Sequence, residues 1–97
     1  MEQDQVIRTL RRHATELHRL GIAHLYLFGS VVRNEAVASS DVDLFFDFDD
    51  PRFSMIELLR IKDRLEEILG ARTDVMSRGS IHPRLRSDIE QAAIQVF

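Results

Sequence analysis

Gly29-Ser30, followed after ten residues by Asp41-Val42-Asp43, is the stretch that decides how this chain is read. The apolar run Ile22-Ala23-His24-Leu25-Tyr26-Leu27-Phe28 leads into the Gly-Ser turn, and Leu44-Phe45-Phe46 leads away from the two carboxylates. Short runs rich in branched and aromatic residues are strand signals. The turn and the Asp-x-Asp pair are therefore expected on buried strands, held rigidly. A turn suited to phosphate beside carboxylates suited to a divalent cation points to metal-dependent chemistry on a nucleoside triphosphate.

Outward from that stretch, Val6, Leu10, Ala14 (or His13), Leu17 and Leu20 recur at helical spacing and predict one helix over 4–20, stopped by Gly21. Residues 22–28 read as a strand, 30–35 as a short helix after the turn, and 36–40 as loop. A second strand over 42–48 is closed by Asp49-Asp50-Pro51, since proline cannot continue a central ladder. Ser54 and Glu57 have capping-box spacing, and the helix they open carries Leu58, Ile61, Leu65, Ile68 and Leu69 to a stop at Gly70. Residues 71–76 predict a third strand. Pro83 suits the first turn of a last helix with Leu85, Ile89 and Ala92 or Ala93 turned inward, and 94–97 is a terminal strand or a docked tail. The economical arrangement is an α/β (α+β) domain over 1–97, a small mixed β-sheet flanked by helices. Strand directions stay open.

The composition narrows the chemistry. At 97 residues there is room for one core. With no cysteine, disulfides, zinc-thiolate sites and cysteine nucleophiles are excluded, which fits a cytoplasmic protein. Neither a signal peptide nor a run long enough to span a bilayer is visible, so no membrane association is expected. The net charge of -3 argues against a sequence-independent grip on nucleic acid. Lys62 is the only lysine, and the arginines are dispersed. Arg8, Arg11, Arg12 and Arg19 could line one side of the first helix, as a solvated face or as a partner-protein surface.

Alternate residues of a strand share a face, so Asp41 and Asp43 are expected on one face, about 6–7 Å apart at the backbone. Their mutual repulsion is relieved by a hard cation, and magnesium takes one or two carboxylates together with substrate phosphates. A two-metal site needs a further acid, and Asp74 in the alternating segment Arg72-Thr73-Asp74-Val75-Met76 is the best placed. Gly29 lets the backbone approach phosphate, while Ser30 adds a hydroxyl donor and begins the expected short helix. Arg33 could pair with a phosphate or hold one of the aspartates. Asp47, Asp49 and Asp50 read as solvated residues at a strand end, Glu35 as surface, and His24 as a satisfied half-buried residue. Met55, Leu58 and Leu59 read as core or as a partner-facing stripe. Neither a Walker-type phosphate loop nor a dinucleotide fingerprint is present, and the histidines lack metal-ligand spacing.

With Gly29-Ser30-Val31-Val32-Arg33, Ser40-Asp41-Val42-Asp43-Leu44 and Thr73-Asp74-Val75, the chain resembles the minimal nucleotidyltransferase (MNT) domains of the DNA polymerase β superfamily over nearly its whole length. The resemblance implies that fold, with Asp41, Asp43 and Asp74 binding two Mg2+ ions and acting as catalytic residues. It implies that Gly29 and Ser30 hold the triphosphate of ATP, that Asp74 helps activate the acceptor, and that AMP passes to a hydroxyl with release of pyrophosphate. The family commonly has Ala-Arg-Gly where this chain has Val32-Arg33-Asn34, so an altered turn is expected there. Small stand-alone members resemble antitoxins paired with HEPN-domain toxins, which they AMPylate, typically on tyrosine, and with which they form hetero-oligomers. The chain is expected to end soon after its catalytic core, which favours an acceptor bringing its own docking surface. A non-catalytic antitoxin that only binds the toxin and a transferase acting on a small-molecule hydroxyl are the alternatives; templated polymerisation fits the acidic balance worst.

Overall fold

The computed structural model describes residues 2–36 and 41–97; the expected loop at 37–40, with Ser40 of the motif, lies outside them. Helices α1 (Gln3–Arg12) and α2 (Ala14–Arg19) precede strands β1 (His24–Phe28) and β2 (Val42–Asp47). Helix α3 (Met55–Leu69), strand β3 (Thr73–Ser77), a 3-10 turn (Arg78–Ser80), helix α4 (Pro83–Ala92) and strand β4 (Ile94–Gln95) follow. The sheet runs β3-β2-β1-β4. β1 is antiparallel to β2 and to β4, and β2 is parallel to β3 across α3, so the sheet is mixed as expected.

Strand alternation sorts the side chains cleanly. Leu25 and Leu27, Val42, Leu44 and Phe46, and Val75 face one side, where they meet Val6, Leu10, Leu17, Ile61 and Leu65 in a single buried cluster. The opposite face carries Tyr26, Phe28, Asp43, Phe45, Asp47 and Asp74. The first face is the core, packed against α1, α2 and α3. On the second, Phe45 is nonetheless fully buried, stacked on Tyr26 with ring centroids 4.6 Å apart and leaning on Phe28.

The long first helix is interrupted at His13, whose N–H donates to the Leu10 carbonyl while its ring nitrogen bonds the Thr9 carbonyl at 2.9 Å. The apolar period runs through the break, which is why the sequence reads as one helix. Ser54 and Glu57 do form the capping box, and Gly70 ends α3 in the left-handed region at φ 64°. Helix α4 begins at Pro83 with His82 Nδ1 accepting the Arg84 N–H, but it buries no residue, and Leu85 is exposed where it was expected inward. Polar contacts tie this helix down, through Arg86 to the Gly79 and Ile81 carbonyls and through Glu90 to Arg78. The end of the chain is both strand and tail: beyond β4, Val96 donates to the Leu25 carbonyl and Leu25 to the Phe97 carbonyl. His24 is exposed at the start of β1, not half-buried. Met55 and Leu59 are exposed, so they are not core.

Candidate active site

The expected helix at 30–35 is a single turn. Glu35 N–H bonds the Ser30 carbonyl at 2.9 Å and Asn34 N–H the Val31 carbonyl at 3.3 Å, the paired bonds of a Schellman closure. Asn34 supplies its left-handed residue at φ 57°, standing where the resembled family has glycine. The altered turn expected from Val32-Arg33-Asn34 is thus closed in the way a glycine would close it. A helix terminus is not available to hold phosphate here; what remains is the Gly29-Ser30 turn itself.

That turn is packed on the acid row. Phe28, Asp43 and Asp74 are register partners across β1, β2 and β3, so the two carboxylates leave neighbouring strands side by side on the open face. Gly29, at φ 79°, lies so close to Asp43 that an added Cβ would fall 2.0 Å from Oδ2. The Ser30 backbone N–H favours the charged form of the Asp43 carboxylate. Burial pushes the Asp43 carboxyl above its ordinary value, with the Asp74 and Asp41 charges adding to the effect. Arg33 and the Ser30 N–H oppose it.

Asp41 stands one residue ahead of β2, exposed, pairs with Arg72 at 3.2 Å, and is close enough for its charge to act on Asp43. Sequence reading missed Arg72; its only signal was its position next to Thr73-Asp74. Arg33 is exposed and paired with Glu35 at 3.0 Å, yet close enough to Asp43 to act on its charge.

Asp47 is also corrected. Instead of being solvated, it accepts two bonds from Arg78, at 2.7 and 3.0 Å, and Arg78 also bonds Glu90. The guanidinium lies over the Tyr26 and Phe45 rings, 4.7 and 5.0 Å from their centroids. The open sheet face is thereby divided, with acids at one end and, at the other, Arg78 shared between two carboxylates. Asp50 binds the N–H and guanidinium of Arg52 in the turn after β2.

Among the described residues, no group of three or more acidic or imidazole side chains converges into a ready-made metal cage. The donors nevertheless fit magnesium: they are hard carboxylate oxygens, and Asp43 carries a repulsion from two neighbours that a cation would relieve. Since magnesium keeps few protein ligands and fills its shell with phosphate and water, such a site is completed by the nucleotide.

The chain has relatives of the same fold. Residues 7–96 match the family profile described as nucleotidyltransferase domain. A protein of Methanocaldococcus jannaschii, named as a candidate protein adenylyltransferase, is 40% identical over 77 residues, 79% of this chain and 82% of its own. The protein adenylyltransferase MntA of Thermococcus cleftensis is 30% identical over 94 residues, 96% of this chain and 94% of its own. A solved structure described as a candidate minimal nucleotidyltransferase superposes with TM-score 0.80 at 36% identity, covering 97% of this chain and 95% of that one. A toxin–antitoxin crystal structure with AMP-PNP shares the fold, with TM-score 0.72 at 20% identity over 90% of this chain and 72% of that one.

Proposed function

The chain belongs to the nucleotidyltransferase domain family and is a minimal nucleotidyltransferase enzyme of the polymerase β-like superfamily, and from that premise we propose that it transfers AMP from ATP to a hydroxyl of a HEPN-type toxin. The observation that carries the reading is the row Phe28–Asp43–Asp74 with Gly29-Ser30 packed against it, which sets a phosphate turn beside carboxylates. The relatives' naming as protein adenylyltransferases supports a protein acceptor, and the toxin–antitoxin setting of a structure of the same fold directs the choice to a toxin.

In this reading Asp41, Asp43 and Asp74 hold Mg2+, which when bound supplies positive charge to the triphosphate and the leaving group. Gly29 admits the phosphates close to the backbone, and the Ser30 hydroxyl donates to a phosphate oxygen. Arg33, drawn from its exposed pair with Glu35, adds charge on the same side. Asp74 takes the proton of the acceptor hydroxyl as that oxygen bonds the α-phosphorus; the bond from this phosphorus to the bridging oxygen breaks, and pyrophosphate leaves. A tyrosine hydroxyl on the toxin is the expected acceptor, with the complex a hetero-oligomer in the cytoplasm.

The test uses ATP labelled at the α-phosphate, magnesium, and the protein encoded next to this chain. Label on that protein, lost with D41A/D43A, supports the reading. A parent chain that binds the toxin without labelling it, or a double variant that still neutralises it fully, overturns it.

A further inference from the structure

The peptide that precedes Asp74 is held from outside the sheet. β3 is an edge strand, and Val42 N–H reaches the Arg72 carbonyl, which turns the N–H and C=O of Thr73 away from β2. Both outward groups find side chains of α3. Glu66 Oε2 accepts the Thr73 N–H at 2.8 Å, and Lys62 Nζ donates to the Thr73 carbonyl at 2.5 Å. Lys62 and Glu66 lie one helical turn apart and pair with each other at 3.8 Å. From the core side, the Thr73 side chain is itself buried, only 1% exposed.

An edge strand bonded on one side only is where a sheet frays. Asp74 is the residue directly after this clamp, on the open face beside Asp43. A small shift in its backbone would separate the two carboxylates. The clamp is spent on the two peptide groups that flank one residue, by the only lysine of the chain and a carboxylate one turn further along α3. A solvated salt bridge would not require that target.

We propose that Lys62 and Glu66 are positioning residues, which lock the main chain at Thr73 so that the Asp74 carboxylate stays beside that of Asp43, ready for a divalent ion arriving with the nucleotide. This inference rests on the reading of Asp74 given above. Groups that hold a metal ligand in place typically govern metal affinity by about 10–100-fold, the size of effect expected here.

The experiment measures Mn2+ binding by electron paramagnetic resonance, with a non-hydrolysable ATP analogue present, alongside AMP transfer and amide hydrogen exchange at residues 73–75. K62M and E66A remove the donor and the acceptor; K62R and E66Q retain them. Expected are a roughly tenfold weaker Mn2+ affinity, a fall in kcat larger than any change in KM for ATP, and faster exchange in the first pair, with recovery in the second. D74N serves as the reference. If D74N loses metal and activity while K62M and E66A match the parent, the clamp has no positioning role. If D74N itself binds Mn2+ like the parent, the reading of Asp74 fails and takes the inference with it. Loss in K62M and E66A without rescue by K62R and E66Q also overturns it, since the bonds to Thr73 would then not be the cause.

Discussion

Gly29 and Asp43 are in direct contact: a Cβ built on residue 29 would fall 2.0 Å from Oδ2 and 2.8 Å from Cγ of the aspartate. Glycine is demanded twice, by this contact and by its φ of 79°. G29A should therefore displace the Asp43 carboxylate as well as strain the turn. A left-handed alanine costs about 1–2 kcal/mol before any clash, and a 1 Å misplacement of a reacting group can cost roughly 100-fold in rate. Thermal denaturation and AMP transfer should both fall, activity far more than stability. An active G29A would show that the carboxylate need not stay where the turn holds it.

Asp43 also sets a pH dependence. Its folded-state carboxyl is raised, first by burial and then by Asp74 and Asp41. Between its unfolded and folded values the native state binds more protons than the unfolded chain, so stability falls as pH rises through that window. In EDTA, D43N should be more heat-stable than the parent at neutral pH, by a few degrees, and the gap should close in acid below the ordinary carboxyl range. The variant should lose AMP transfer. A parent that is the more stable at neutral pH without metal would contradict the strain assigned to this carboxylate.

Much of this could be read from the residues. Short runs of strand formers, and alternation over 72–76, placed β1, β2 and β3 within two residues at each end, and the capping box and Gly70 bounded α3. The spacing of Asp74 within its strand anticipated its pairing with Asp43. What escaped was what local pattern does not encode. The break at His13 leaves the helical period intact, and Asp47 reads as a solvated strand end because its cation is distant in the chain. Asp47 and Arg78 are 31 residues apart, and only the fold brings them together. Helix α4 has helical spacing in Leu85 and Ile89, yet its polar ties to Arg78 and the 3-10 turn leave Leu85 in solvent.

The turn after Ser30 offers a narrower test. Asn34 closes it in the left-handed region, which asparagine tolerates better than other residues with a Cβ. N34G should be neutral or slightly stabilising. N34V should cost about 1–2 kcal/mol and lower activity, because the same closure holds Ser30 against Asp43. Chemical denaturation of the three forms at one pH settles the order. Equal stability of N34V and the parent would mean that the turn can close another way.

Arg78 should prove more important to stability than an exposed arginine. Its guanidinium donates two bonds to Asp47 and another to Glu90 while covering Tyr26 and Phe45. All three charged side chains are about one-third exposed, so solvent screening discounts the pairing. Hydrogen bonds to charged groups and the contact over the rings still leave an expected cost of about 1–3 kcal/mol for R78M. R78K should recover little of it, because an ammonium cannot fork across the Asp47 carboxylate while reaching Glu90. In R78M the Asp47 and Glu90 carboxylates, from β2 and α4, are left without their shared cation, so its deficit should shrink when acid neutralises them. Urea denaturation of parent, R78M and R78K at neutral and mildly acidic pH measures both effects. If R78K matches the parent, the planar fork is not what holds this end of the sheet face together.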